Sequence, residues 1–257
     1  MTNARVTERL PGLRVHRMAD VALDAVLAAL ETPGAPIKRS KRNVTRRVGE
    51  WVIKESAPNS LRETVRHTVL RQRYRRAWDA AVHLQRSGVH VPAPVAFAER
   101  VRWGVIQGNA FIAEFLEGCR SVEAFAPEWA DTQRYEAEIH GFLQRLADAV
   151  NALRAAGAHH TDLSGKNILS ADGERFYFID LDAVELHGPY TREARLRNHV
   201  QLYDSFCNWW DETFLGPFLM RMLPADEDPD EWMRAVRERQ RRRRARTEAI
   251  LAAGKEA

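Results

Sequence analysis

Residues 160–169 read HTDLSGKNIL, and residues 178–182 read FIDLD. The segment between them has the form of a hairpin: apolar Ile168-Leu169, a turn at 171–174 (ADGE), then Phe176-Tyr177-Phe178-Ile179. Asn167 and Asp180 are 13 positions apart, about 43 Å if the chain were fully extended. Folding about the turn returns Asp180 to the neighbourhood of residues 165–167. An amide oxygen and a carboxylate then face one small volume, with Asp162 on the loop just before. Hard oxygen donors offered two at a time, with other positions open, suit Mg²⁺ carried on the phosphates of a nucleotide.

Phosphoryl transfer needs positioning and charge neutralisation more than covalent help. Read this way, Asp162 orients an acceptor hydroxyl and takes its proton, while Asn167 and Asp180 hold the metal. A cation must also reach the phosphates, and Lys54 in WVIKE (51–55) ends an apolar strand upstream. On its own Lys54 is an ordinary strand lysine; the downstream motif gives it a nucleotide role.

The 257 residues, 45% hydrophobic and 29% charged, suffice for one large domain or two modest lobes and argue against wholesale disorder. No apolar run reaches the length of a membrane span, and the N-terminus lacks the apolar core of a signal peptide. Cys119 and Cys207 show no paired or metal-type spacing. A reduced, cytoplasmic protein without disulfides or structural zinc is expected, with both thiols as small buried apolar groups. Net charge is only +4, but basic residues cluster at 38–47, 62–76 and 237–246. Such clusters favour an anionic partner or form a solvated helix face.

The organisation along the chain is α+β. An amphipathic helix is expected at 20–31, and a strand meander over 36–55 turns at residues 40–43. A long helix is expected from an Asn59-Ser60 cap to Gly88, then two strands over 91–103 and 109–118. Later helices are expected at 127–154, at 192–214 and from Asp228-Pro229 onward. Trp209, Trp210 and Phe206 read as core packing at helical spacing. The boundaries implied are an N-terminal extension with a short helix (1–35), a strand-rich lobe (36–117) and a helical lobe with a basic C-terminal helix (118–257). Two lobes imply a cleft.

HTDLSGKN (160–167) resembles the kinase catalytic loop His-x-Asp-Leu-x-x-x-Asn, and IDLD (179–182) stands where kinases carry Asp-Phe-Gly. VIK (52–54) resembles the strand bearing the phosphate-binding lysine, and FIAEFLEG (111–118) the strand and hinge between lobes. The resemblance covers about residues 36–215 and implies a two-lobed, protein-kinase-like fold. Within it, RRAWDAAVHLQRSGVHVPAP (75–94) together with FIAEFLEG, DLSGKNIL and FIDLD resembles the lipopolysaccharide core kinases of Gram-negative bacteria, which phosphorylate Kdo or heptose hydroxyls.

By that likeness Asp162 is the base, Asn167 and Asp180 bind metal and Lys54 binds ATP phosphates. Glu114 and Leu116 offer hinge backbone groups to adenine, and His160 packs beneath the loop. Asp182 is expected to support Asp180. The chain departs from the pattern in two places. The nucleotide-covering turn at 40–43 has no glycine, so Lys41 or Arg42 would supply its donors. The helix glutamate that pairs with the strand lysine is missing at Ala77, with Glu63 and Asp79 as nearby substitutes.

The expected activity is ATP- and Mg²⁺-dependent phosphorylation of an anionic glycan or glycolipid. Peripheral contact with an anionic inner-membrane surface would run through the 237–246 helix, helped by Trp232 and Met233. A small-molecule or protein phosphotransferase of the same fold, or a non-catalytic kinase-like binding protein, are the alternatives. A nucleic-acid partner is not expected, because it would leave the acidic loop unexplained.

Overall fold

The computed structural model describes residues 4–39, 43–58, 73–131, 135–188 and 190–255. Lys41, Arg42 and Glu63, and the start of the long helix, lie outside the described residues. The chain divides into two compact units, residues 1–117 with 180–184, and residues 118–179 with 185–257.

The first unit is built on a seven-stranded antiparallel sheet. Its strands in chain order are β1 (Arg5–Leu10), β2 (Leu13–Met18), β3 (Ala35–Arg39), β4 (Asn43–Val48), β5 (Trp51–Ser56), β6 (Pro94–Arg102) and β7 (Val105–Glu114). Across the sheet the order is β1-β2-β6-β7-β5-β4-β3. Side chains alternate between its faces. On one face Val15, Ile53, Ala96, Ala98, Ala110 and Ile112 bury against Val26 and Ala29 of helix α1 (Leu23–Glu31). Helix α2 (Arg73–Arg86) packs on β6 and β7.

Residues 5–18, expected only as part of an N-terminal extension with a short helix, add two strands to this sheet. The reason is local: Leu10-Pro11-Gly12-Leu13 makes a tight turn with Gly12 at φ 75° and Leu10 opposite Leu13. Proline followed by a left-handed glycine favours such a turn.

The second unit is mainly helical. It holds α3 (Phe125–Asp131), α4 (Glu136–Ala155), α5 (Arg192–Phe206), α6 (Glu212–Arg221) and α7 (Pro229–Lys255). Two small sheets accompany them. Strand β10 (Ile168–Ser170) lies between β8 (Arg120–Ser121) and β11 (Tyr177–Phe178), and β9 (Ala158–His160) pairs with β12 (Val184–Leu186). The expected hairpin is present, with Ile168 opposite Phe178 and Gly173 at φ 78° in its turn. Its aromatic core centres on Phe142, which meets Phe125, Trp129, Phe176, Phe206 and Trp210.

Four expectations are corrected here. The helix expected over 192–214 ends at Phe206, because Asp211 caps a new helix by accepting from the Thr213 amide at 2.9 Å. Trp210 is therefore core, stacked 5.3 Å from Phe206, whereas Trp209 is 48% exposed. Trp232 and Met233 point into the core at 0% and 8% exposure, so neither offers apolar contact to a membrane. Both cysteines are only half-buried, and the Arg244 guanidinium donates to Cys207 Sγ at 3.2 Å. Among the described residues no helix is long and apolar enough to cross a membrane.

Candidate active site

In the first unit, Lys54 lies on β5 between Thr45 of β4 and Phe111 of β7. Since Ile53 is buried among the α1-facing residues, alternation puts Lys54 on the other face. There its Nζ lies 3.1 Å from Asp180 Oδ1, with both side chains partly accessible. Asp180 occupies the left-handed region at φ 58°, ψ 44° and caps the short 3-10 turn Leu181–Ala183. Aspartate tolerates that conformation better than most residues, and it turns the carboxylate away from the strand direction.

Two residues on, Asp182 Oδ2 receives the Nε–H of Arg73 in α2. The Asp182 side chain is 8% exposed, and its buried Oδ1 has no hydrogen-bond donor placed on it among the described residues. Burial would raise the Asp180 carboxyl, but the charge and hydrogen bond of Lys54, then a hydrogen bond with the Asp182 carboxyl, with Arg73 further off, hold it below the ordinary aspartate range. Burial and repulsion from Asp180 push Asp182 the other way, which Arg73 only partly offsets. Asp79, a candidate partner for Lys54, pairs with Arg5 and Arg75 instead. At the end of β7, the Glu114 amide donates to Ala93 O at 2.9 Å and the Phe115 amide to Glu50 O at 2.7 Å. Leu116 follows, half-buried.

In the second unit, His160 is fully buried. Its Nε2 lies 2.9 Å from Ile179 O, and its Nδ1 receives the Asp162 amide at 3.2 Å. One tautomer, with the proton on Nε2, satisfies both. His160 thus ties the loop to the strand end that leads to Asp180. Asp162 presents a carboxylate that is 40% exposed and surrounded by donors. Asn167 Nδ2 reaches Oδ2 at 3.0 Å, Gln201 Nε2 reaches Oδ1 at 3.4 Å, and Lys166 Nζ stands 3.6 Å from Oδ2.

Asn167 Nδ2 also donates to the Asp162 carbonyl at 2.8 Å. With its nitrogen committed twice to Asp162, the amide presents Oδ1 as its acceptor. Asn167 Oδ1 in this unit and the Asp180 carboxylate in the first are each the kind of hard oxygen donor that magnesium favours. No group of three or more His, Cys, Asp or Glu side chains able to hold a metal occurs among the described residues. A cation that arrives on nucleotide phosphates needs only one or two protein ligands.

What holds the loop is one polar face of α5, which the apolar pattern of the sequence hides. Asn198 Nδ2 donates to His160 O at 2.8 Å, and Gln201 accepts from Leu163 N at 3.0 Å and donates to Thr161 O at 3.2 Å. Ser205 Oγ accepts from Gly165 N at 2.9 Å. Positions 198, 201 and 205 share a helix face, and that spacing of polar residues after a catalytic-loop sequence is the signal to look for. Arg73 carries no comparable mark in the sequence.

A family-wide sequence profile described as the lipopolysaccharide kinase (Kdo/WaaP) family matches residues 25–220. The 3-deoxy-D-manno-octulosonic acid kinase of Vibrio parahaemolyticus is 28% identical over 109 residues, an alignment that takes in 42% of this chain and 42% of that protein's length. A solved structure of WaaP in complex with acyl carrier protein superposes with a TM-score of 0.64 at 19% identity, over 86% of this chain and 91% of that one, which shows a shared fold. With the profile spanning most of its length, the chain belongs to the lipopolysaccharide kinase (Kdo/WaaP) family.

Proposed function

We propose that the protein transfers the γ-phosphate of ATP to a hydroxyl of a Kdo or heptose sugar in the inner core of lipopolysaccharide. The observation that carries this reading is the 3.1 Å pairing of Lys54 with Asp180, residues 126 positions apart, in the two places where a kinase needs its phosphate cation and its metal carboxylate. In this reading Lys54 holds the phosphates, and Glu114 and Leu116 supply backbone groups to the adenine. Lys41 and Arg42, which lie outside the described residues, supply further donors to the phosphates. Asn167 and Asp180 hold Mg²⁺, which supplies charge neutralisation across the phosphates when bound. Asp162 accepts a hydrogen bond from the acceptor hydroxyl and takes its proton as the new O–P bond forms and ADP leaves.

Lys166, 57% exposed and beside Asp162, suits an anionic acceptor rather than a cationic one. A lipid-linked acceptor places the protein at the cytoplasmic face of the inner membrane, where the exposed Arg241, Arg242 and Arg246 of α7 face anionic headgroups.

The test incubates purified protein and Mg-ATP with deacylated core oligosaccharide and reads the product by mass spectrometry. A gain of one phosphoryl group is expected, lost in Asp162→Asn while ATP binding persists. Normal ATP binding with no transfer to core, or transfer only to choline, aminoglycosides or protein, would overturn it.

A further inference from the structure

We propose that Arg73, acting through Asp182, is the positioning residue that keeps Lys54 and Asp180 set for nucleotide, a task a helix-borne glutamate performs by direct contact in the resembled kinases. The inference rests on the nucleotide reading of Lys54 above. Four charges alternate between elements of the first unit: Lys54 on β5, Asp180 and Asp182 on the turn, and Arg73 in α2. The turn is rigid: the Ala183 amide donates to Asp180 O at 2.9 Å, and Leu181 between the two acids is 3% exposed. The two carboxylates therefore cannot separate to relieve their repulsion.

Each carboxylate has its own cation. Asp182 is the more buried, and with no donor placed on Oδ1 among the described residues its charge leans on the Arg73 contact. A buried carboxylate deprived of its cation is costly. Without Arg73, the cation left acting on Asp182 among the described residues is Lys54, the one held by Asp180. Lys54 would then be shared between two acids and drawn from the phosphates. Arg73 thus acts on nucleotide at second hand, by keeping Asp182 satisfied. It also makes the position of α2 and the setting of Asp180 one variable.

This arrangement predicts an uncommon sign of coupling. Removing Arg73 harms ATP binding only while Asp182 is charged, so neutralising Asp182 repairs the damage. The experiment measures Mg-ATP affinity calorimetrically on the full chain for the parent, Arg73→Gln, Asp182→Asn and the double variant, with a thermal melt of each. Arg73→Gln is expected to lose about tenfold in affinity, equivalent to about 1.4 kcal/mol. Asp182→Asn is expected to stay within about threefold of the parent, and the double variant to recover to that level. If Arg73→Gln does not fold, Arg73→Lys substitutes, with a smaller loss that disappears in the Asp182→Asn background.

Affinity within twofold of the parent in Arg73→Gln, with only the melting temperature lowered, would make the pair merely structural and overturn the proposal. Losses that multiply in the double variant would also overturn it. A parent that does not bind Mg-ATP at all would sink the nucleotide reading itself, which is a separate failure.

Discussion

Gly165 sits within the 160–167 loop with no conformational demand of its own, since its backbone lies outside the left-handed region. Space is what it provides. A β-carbon there would stand 3.0 Å from Glu123 Cβ, 3.2 Å from Ser205 Cβ and 3.3 Å from the Glu123 amide nitrogen. All three neighbours are main chain or the first side-chain atom, so none can swing away. Gly165→Ala is therefore expected to push the loop off α5 and strain the bond from its amide to Ser205 Oγ. Overpacking of this kind costs about 1–3 kcal/mol. Turnover should fall at least tenfold with ATP affinity held, because Lys54 and Asp180 belong to the other unit. Comparing melting temperature, ATP affinity and turnover checks this; unchanged turnover would show that the loop has room to give.

Among the elements, α5 does for the loop what packing alone could not. Gln201 serves Leu163 N, Thr161 O and Asp162 Oδ1 together and is 7% exposed. Gln201→Leu keeps the volume but leaves a buried donor and a carbonyl without partners, a cost of about 1–3 kcal/mol. The expected kinetic result is a loss in kcat with KM for ATP little changed, measured by steady-state assay; a loss confined to KM would place Gln201 elsewhere in the cycle. Arg46 plays a comparable part for α1. Buried to 6%, it donates to the carbonyls of Ala29, Leu30 and Thr32 and pairs with Glu55 at 2.9 Å, stopping the helix at its negative end. Arg46→Met should cost about 2–3 kcal/mol in a denaturant titration, while Arg46→Lys should recover only part of that.

These elements also mark where reading the chain stopped. Apolar periodicity and turn residues carried α1, β3 to β7, the hairpin at 168–178 and the start of α7, because those signals come from the residues that build the elements. The candidate site residues could be picked out because the motif spaces them along a loop of fixed length. Asn198, Gln201 and Ser205 were not, since polar residues on a helix ordinarily face water and only the fold turns this face inward. Arg73 and Asp182 met through contact over 109 positions, which no local pattern encodes.

At the scale of the whole molecule, charge that looks unbalanced in the sequence is largely neutralised in place. In the arginine-rich stretch of α7, Arg237 pairs with Glu212 at 2.8 Å, Arg239 with Glu193 at 2.5 Å and Arg244 with Asp204 at 2.8 Å. Such exposed pairs each contribute little, but they join α7 to α5 and α6 over a buried patch where Trp232 and His199 meet. Trp232 Nε1 donates to His199 Nδ1 at 2.6 Å, a bond that requires that nitrogen unprotonated. Burial, with Arg154 and Arg195 nearby, pushes this imidazole down to about 3. The unfolded chain, with an ordinary histidine near 6.5, binds the proton that the folded chain refuses. Stability contributed by the neutral ring is therefore complete above about pH 6.5 and is lost as pH falls from there toward 3. Between pH 7.5 and pH 5 the loss from this one group is about 2 kcal/mol. In His199→Gln, the amide oxygen still accepts from Trp232 and nothing titrates. That variant is expected to be less stable than the parent at pH 7.5 yet flatter across the range, so that the two urea-unfolding curves converge toward pH 5. Parallel pH dependences in parent and variant would mean that the α5–α7 junction opens enough to let water reach the ring.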